Sequence, residues 1–281
     1  MTFSVAAGEV FGIAGPNGAG KSTMLSMLLG FMPPSDGTIR VDGAEPRAFV
    51  EREGIGYLSE LVAINPRWRT HDTLVRFALL AGLPDHEVER QVDEVETLLA
   101  LGEHAGKKVK ELSKGTAQRL ALGQALLGET RVMVFDEPTH GLDPLWMQRF
   151  RELVPTLRRP DRAILIASHN LDELERLADR VAIVDRGGLQ RIVDVRDGRG
   201  AAVASRYRLV TRGPAAAVES RFPGAVRVGE GEHEVAVESL ESLNAALATL
   251  IASGTLVVSV SPAHSTLEEH FRQVVADTER A

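Results

Sequence analysis

The segment VFGIAGPNGAGKSTMLSMLL, Val10–Leu29, carries three signals in succession. Val10 to Ala14 is a short apolar run of the kind that forms a strand buried on both faces. Gly15, Gly20, Lys21 and Ser22 then satisfy the spacing G-x-x-x-x-G-K-S/T. Met24, Leu25, Leu28 and Leu29 come next at helical spacing. This order of strand, glycine loop and helix sets the loop's backbone N–H groups at a helix amino end, where the peptide dipoles favour an anion. Gly15, Pro16, Asn17, Gly18, Ala19, Gly20, Lys21, Ser22 and Thr23 are therefore expected to cradle the phosphates of a nucleotide. Lys21 would reach the outer phosphates and the Ser22 hydroxyl would take Mg²⁺.

The rest of the chain suits such a fold. With 281 residues, 44% apolar and 25% charged, it can form one large domain and a small one. No run of eighteen apolar residues occurs, and the start MTFSVAAGEV has neither a basic stretch nor the apolar segment of a secretion signal. A cytoplasmic chain is expected, one that does not cross a membrane by itself. The absence of cysteine excludes disulfides and thiolate metal sites. A net charge of −7 makes nucleic acid an unexpected partner, because backbone binding depends on Lys and Arg neutralising phosphates.

Two further apolar runs end in chemistry. RVMVFDEP gives Val132 to Phe135 and then Asp136 and Glu137; AILIASH gives Ala163 to Ala167 and then His169. In a parallel sheet, ligands bind at the carboxyl ends of strands, so loop, carboxylates and His should gather on one edge. Adjacent carboxylates can divide two tasks there. Asp136 would serve the metal, directly or through water, and Glu137 would orient the water that attacks the γ-phosphate.

In this order the motifs resemble the ATP-binding subunit of an ABC transporter over roughly residues 1–195. They are the loop GPNGAGKST, GYLSE at the Q-loop place, the signature LSKGT, the strand VMVFDE, the D-loop GLDP and the His of SHN. The resemblance implies an α/β P-loop cassette with a parallel core sheet and a helical subdomain near residues 63–128, within a domain 1–200. It implies ATP and Mg²⁺ as cofactors and a separate integral-membrane permease as partner. It further implies two cassettes stacked head to tail, as homodimer or heterodimer, peripheral on the inner face of the cell membrane. Ser113 and Gly115 would then touch the γ-phosphate of the nucleotide held by the other subunit. Asp143 of the D-loop joins the nucleotide-contacting set, and His169 supports the γ-phosphate. Ser22, Asp136 and Glu60 are the implied metal ligands, and Glu137 and His169 the catalytic pair.

The residues agree with a site at the signature, since Ser113 precedes a helix expected from Thr116 to Leu127 that stops at Gly128. Lys107, Lys108, Lys110 and Arg119 read as a solvated basic face, with Lys114 set apart. In DHEVERQVDEVETLL, Val88, Val92, Val95 and Leu99 recur at helical spacing and read as core. NPRWRT, with Trp68 between Arg67 and Arg69, is the expected permease contact.

Two departures from the family pattern bear on activity. Glu60 stands where the family usually has Gln, placing an extra negative charge beside the phosphates. Cassettes of this family also normally carry a further stretch before the point where this sequence begins, including an aromatic residue that stacks on adenine. Phe3 matches a core position instead, so either the natural start lies upstream or ATP binds weakly. A weakly hydrolysing partner in a heterodimer, or a soluble non-transport ATPase of this type, are the alternatives to a transport ATPase.

After the turn-rich RDGRG the pattern changes. RYRLVTRG, AVRVGEG, HEVAVES and TLVVSVSP read as strands, and SLESLNAALATLIASG and STLEEHFRQVV as helices. A small α+β ferredoxin-like domain over 201–281 is expected, resembling the tail of the exporter branch that handles drugs and polysaccharides.

Overall fold

The structure, a computed structural model, describes residues 1–61, 63–196, 206–213, 215–263, 267–268 and 271. Packing divides the chain into two compact units, Met1–Val193 and Asp194–Ala281.

The first unit is built on a six-stranded sheet. Strand β1 (Val10–Ala14) is wholly buried and runs through the glycine loop into α1 (Lys21–Leu28). Next come α2 (Pro46–Glu53) and β2 (Gly56–Leu58). Three helices come after them, α3 (Thr70–Leu80), α4 (Asp85–Leu98) and α5 (Lys114–Leu126). The chain re-enters the sheet as β3 (Val132–Asp136), leaves through α6 (Pro144–Leu157), and returns as β4 (Ala163–Ser168). It ends with α7 (Leu171–Leu177), β5 (Arg180–Asp185) and β6 (Gly188–Asp194).

The strand order is β2-β3-β4-β1-β5-β6, and the pairs β2–β3, β3–β4, β4–β1 and β1–β5 are parallel. Arg186 and Gly187 join β5 to β6, both at positive φ (47° and 76°), the geometry of a type I′ hairpin turn. Continuous apolar runs fill the centre because helices cover both faces there. Phe11, Ile13, Val134, Leu165 and Val184 share one core cluster. Phe3 packs against that cluster with its ring stacked on Phe11, the centroids 5.3 Å apart, so the aromatic ring near the start belongs to the core.

Helices α3, α4 and α5 pack on one another. The stripe Val88, Val92, Val95 and Leu99 is buried there, each side chain contributing roughly 1.5–3 kcal/mol. Among the described residues no helix is long and apolar enough to cross a membrane.

The second unit runs β7 (Arg206–Arg212), α8 (Ala215–Arg221), β8 (Val226–Gly229), β9 (Glu232–Ala236), α9 (Leu240–Ala252) and β10 (Leu256–Pro262). Its antiparallel sheet has the order β10-β7-β9-β8. A βαββαβ chain with that order is a ferredoxin-like fold. Tyr207, Leu209, Val235, Val218, Phe222, Leu243 and Leu250 form its core. Ser239 caps α9 reciprocally with Ser242. Helix α8, in the Ala-rich stretch after Gly213, is an addition to the expected elements. Of the closing helix expected over STLEEHFRQVV, Leu267 is buried, and Val274 lies outside the described residues.

Candidate functional site

Register builds the site. Ala14 of β1 lies opposite Ser168 of β4, and Asp136 of β3 opposite Ala167. The glycine loop, the carboxylates after β3 and the Ser-His after β4 consequently emerge at the same sheet edge. Within the loop, Gly15 has no alternative: a Cβ there would lie 2.4 Å from the Val184 carbonyl oxygen. Gly20, at φ 99°, turns the chain into α1 with no side chain capping the helix. The first N–H groups of α1 are thereby left to a ligand.

Lys21 is 7% exposed, and its ammonium donates to the carbonyls of Gly15 (2.7 Å) and Pro16 (3.4 Å). Its Nζ also lies 3.9 Å from Glu137 Oε1. Ser22 Oγ donates to Asp136 Oδ2 at 3.1 Å. Asp136 is buried, and its Oδ1 has no hydrogen-bond partner. Burial pushes this carboxyl above the usual carboxylate range; the Ser22 hydroxyl opposes the shift, the Glu60 and Glu137 charges add to it, and Lys21 opposes it. A buried carboxylate oxygen lacking a donor, beside a hydroxyl, is a hard-oxygen set that fits Mg²⁺. This ion takes one or two protein oxygens and completes its shell with water and phosphate oxygens. Glu60 is exposed after β2 and reaches Asp136 through its charge.

Glu137 is the most constrained group of the site. Its backbone is left-handed, at φ 49°, a conformation that costs a non-glycine residue about 1 kcal/mol or more. Four contacts hold the carboxylate: the Ser168 hydroxyl (3.1 Å), the His169 backbone N–H (2.9 Å), His169 Nδ1 (2.9 Å) and Lys21. Ser168 is an addition to the expected set, and its place in ASHN at the end of β4 is the signal that marks it. The His169 ring remains 55% exposed.

Ser113 caps α5, its Oγ accepting from the Thr116 N–H at 3.2 Å. Ser113 and Lys114 are exposed and Gly115 is half-buried. Their side chains turn to neighbours outside the glycine loop: Ser113 Oγ lies 2.9 Å from Thr116 Oγ1, and Lys114 Nζ lies 2.8 Å from His140 Nε2. A Cβ on Gly115 would meet the Gly141 carbonyl oxygen at 3.2 Å, so the signature leans on the turn after Glu137. Asp143 caps α6 by accepting from the Trp146 N–H at 2.9 Å. One expectation is corrected. Arg119 does not belong to a solvated basic face: it is 8% exposed and donates to the carbonyls of Leu99 (2.8 Å) and Ala100 (3.0 Å) and to the Thr116 hydroxyl (3.1 Å). Ala100, left-handed at φ 45°, lies where α4 ends and offers one of those carbonyls.

Known proteins are similar to this chain in sequence and in fold. The family model described as "ABC transporter" matches residues 1–140, a span containing the glycine loop, the signature, Asp136 and Glu137. The chain is 34% identical over 189 residues to the linearmycin resistance ATP-binding protein LnrL of Bacillus subtilis, covering 66% of this chain and 61% of that protein. It is 34% identical over 191 residues to the ABC transporter ATP-binding protein NatA of the same organism, covering 66% and 77%. To the Nod factor export ATP-binding protein I of Paraburkholderia xenovorans it is 37% identical over 190 residues, covering 66% and 62%. The chain thus spans about three fifths of the length of two of these relatives. Among solved structures, an ATP-binding subunit of an ABC transporter superposes with a TM-score of 0.64 at 28% identity, over 72% of this chain and 88% of that one. The ATP-binding cassette MJ0796, solved as a dimer in a post-hydrolysis state with ADP and Pi, gives 0.63 at 21% identity, over 69% and 88%, and speaks for the fold alone. With three quarters of NatA covered at a third identity, and the phosphate loop, signature and Asp-Glu pair all within the matched span, the chain belongs to the ATP-binding cassette family of ABC transporters.

Proposed function

We propose that this chain binds and hydrolyses ATP to drive a separately encoded membrane permease, in the direction of export. The observation that carries the reading is the buried Glu137 carboxylate, fixed by Ser168, His169 and Lys21 beside the glycine loop. The relative named for Nod factor export supports the direction.

In this reading the loop N–H groups and Lys21 hold the β- and γ-phosphates, and Lys21 exchanges its loop carbonyls for phosphate oxygens. Ser22 and Asp136 would hold Mg²⁺, which when bound would supply neutralisation of the charge on the phosphate oxygens. Glu137 accepts a proton from the attacking water as the new P–O bond forms and the bond to ADP breaks. His169 orients Glu137 through Nδ1 and supports the γ-phosphate from the same sheet edge. Ser113 and Gly115 complete the nucleotide site of a second cassette. The exposed Arg67 and Arg69, flanking a half-buried Trp68 that lies under the Arg76 guanidinium at 4.7 Å, form the permease contact.

Steady-state ATPase measurements on the wild type and on Glu137→Gln test the assignment. Loss of the base should lower kcat by roughly 10²–10⁴-fold with little change in nucleotide affinity. Equal turnover in the two proteins would remove Glu137 from the mechanism.

A further inference from the structure

Arg119 is the one buried member of the basic run Lys107, Lys108, Lys110, Lys114 and Arg119. Its Nη donors go to carbonyl and hydroxyl oxygens, and its buried Nε has no acceptor. The guanidinium sits over the Trp146 indole, 4.2 Å from the ring centroid. A second guanidinium, that of the exposed Arg149, lies over the same indole at 4.6 Å and forms no ion pair with a described carboxylate. Two cations therefore converge on one aromatic ring. Neither arginine forms an ion pair with a described carboxylate: the Asp143 and Glu103 charges reach Arg119 from beyond ion-pair distance, and Glu152, on the wall of the adjoining cavity, accepts from Gln148 at 2.9 Å.

Trp146 and both arginines line a cavity of about 260 Å³. Its remaining wall is largely apolar, with Leu98, Leu122, Leu142 and Leu153, and also includes Gln118, Glu152 and Thr156. An apolar wall closed on one side by two guanidiniums and an indole complements a carboxylate or sulfonate carried on a small aromatic or alkyl body. The cavity also bridges two parts of the nucleotide machinery. Leu98 and Leu122 belong to α4 and α5, the latter carrying the signature at its amino end, whereas Leu142 and Leu153 belong to the turn and helix after Glu137.

We propose that this cavity is an effector site for a small amphipathic anion, which on binding fixes the signature helix α5 against α6. The site stands on the packing of α4, α5 and α6, and its test does not require ATP turnover.

The chain contains two tryptophans, so Trp68→Phe leaves Trp146 as the sole indole reporter. In that background 4-phenylbutyrate should change Trp146 emission saturably, whereas the neutral 4-phenylbutanol should bind at least several-fold more weakly. Arg149→Gln, at an exposed position, should weaken 4-phenylbutyrate by about tenfold or more through loss of a charge-assisted contact. Leu98→Glu, at a half-exposed position on the wall, should abolish binding by placing a carboxylate against the anion. Equal affinity for acid and alcohol, an unchanged affinity in Arg149→Gln, or no saturation up to about 10 mM would each overturn the proposal.

Discussion

The chain places Gly-Lys-Ser at the head of α1 and Ser-Lys-Gly at the head of α5, and the two treat the same chemistry in opposite ways. At α1 the helix end is uncapped, Lys21 is folded inward onto the loop's own carbonyls, and Ser22 is tied to Asp136. At α5 the helix end is already capped by Ser113, and Lys114 is exposed and leans on His140. The first is a closed cradle lined by one chain. The second is a presented edge, whose Ser113 faces solvent and whose use as a phosphate contact needs a site supplied from outside. The surroundings of each helix start make the difference: α1 opens beside buried parallel strands that end in carboxylates, whereas α5 opens at the margin of the packed helices α3 and α4.

Breaking the closed side should give the largest effect. Lys21→Ala removes a charge-assisted donor worth about 1.5–3 kcal/mol, so the Kd for Mg-ATP should rise roughly 10- to 150-fold in isothermal titration of the monomer. An unchanged Kd would show that the lysine's loop contacts, rather than phosphate, are its purpose.

Asp136→Asn sharpens the comparison by separating stability from binding. The folded-state pKa of Asp136 is raised by burial, so its ionised form is disfavoured in the native state. That cost is fully present above the folded pKa and fades as pH falls through it, where the native state binds the proton more tightly than the unfolded chain does. The ligand-free variant should therefore unfold at a higher temperature than the wild type at pH 7, by a few degrees, with the gap closing on acidification. Mg-ATP should then stabilise the wild type more than the variant. A lower melting temperature for the variant at pH 7 would contradict the role of burial.

Ser113→Ala acts on the presented side and should have the smallest effect on the isolated chain. Loss of the cap costs about 1 kcal/mol of stability. Nucleotide affinity of the monomer should stay within twofold of wild type, about 0.4 kcal/mol. A Kd change as large as that of Lys21→Ala would place Ser113 in its own chain's site.

Much of this geometry is legible in the residues. Unbroken apolar runs in β1, β3 and β4 mark a parallel sheet covered on both faces, and their polar ends mark the functional edge, because strand polarity and ligand position are linked in such sheets. Ser113 is readable as a cap, since capping is local. Arg119 is not readable. Its burial depends on the carbonyls of Leu99 and Ala100, the latter at a left-handed turn, and on an indole brought by α6 from a distant part of the sequence. The left-handed Glu137 is equally hidden, because that conformation is imposed by the pairing of its N–H with Ala167 and of its carboxylate with Ser168 and His169. Helix α8 is hidden for another reason: AAAVESR is only seven residues long, too short for periodicity to separate helix from loop.

The presented signature should close onto the cradle of a second copy when ATP is bound, and light scattering on the Glu137→Gln chain, with and without saturating Mg-ATP, measures this directly. A monomer without nucleotide and a dimer with it are predicted, with no dimer when Ser113→Ala is added. A chain that remains monomeric at nucleotide concentrations well above its measured Kd, or that dimerises equally without ATP, would contradict closure in trans.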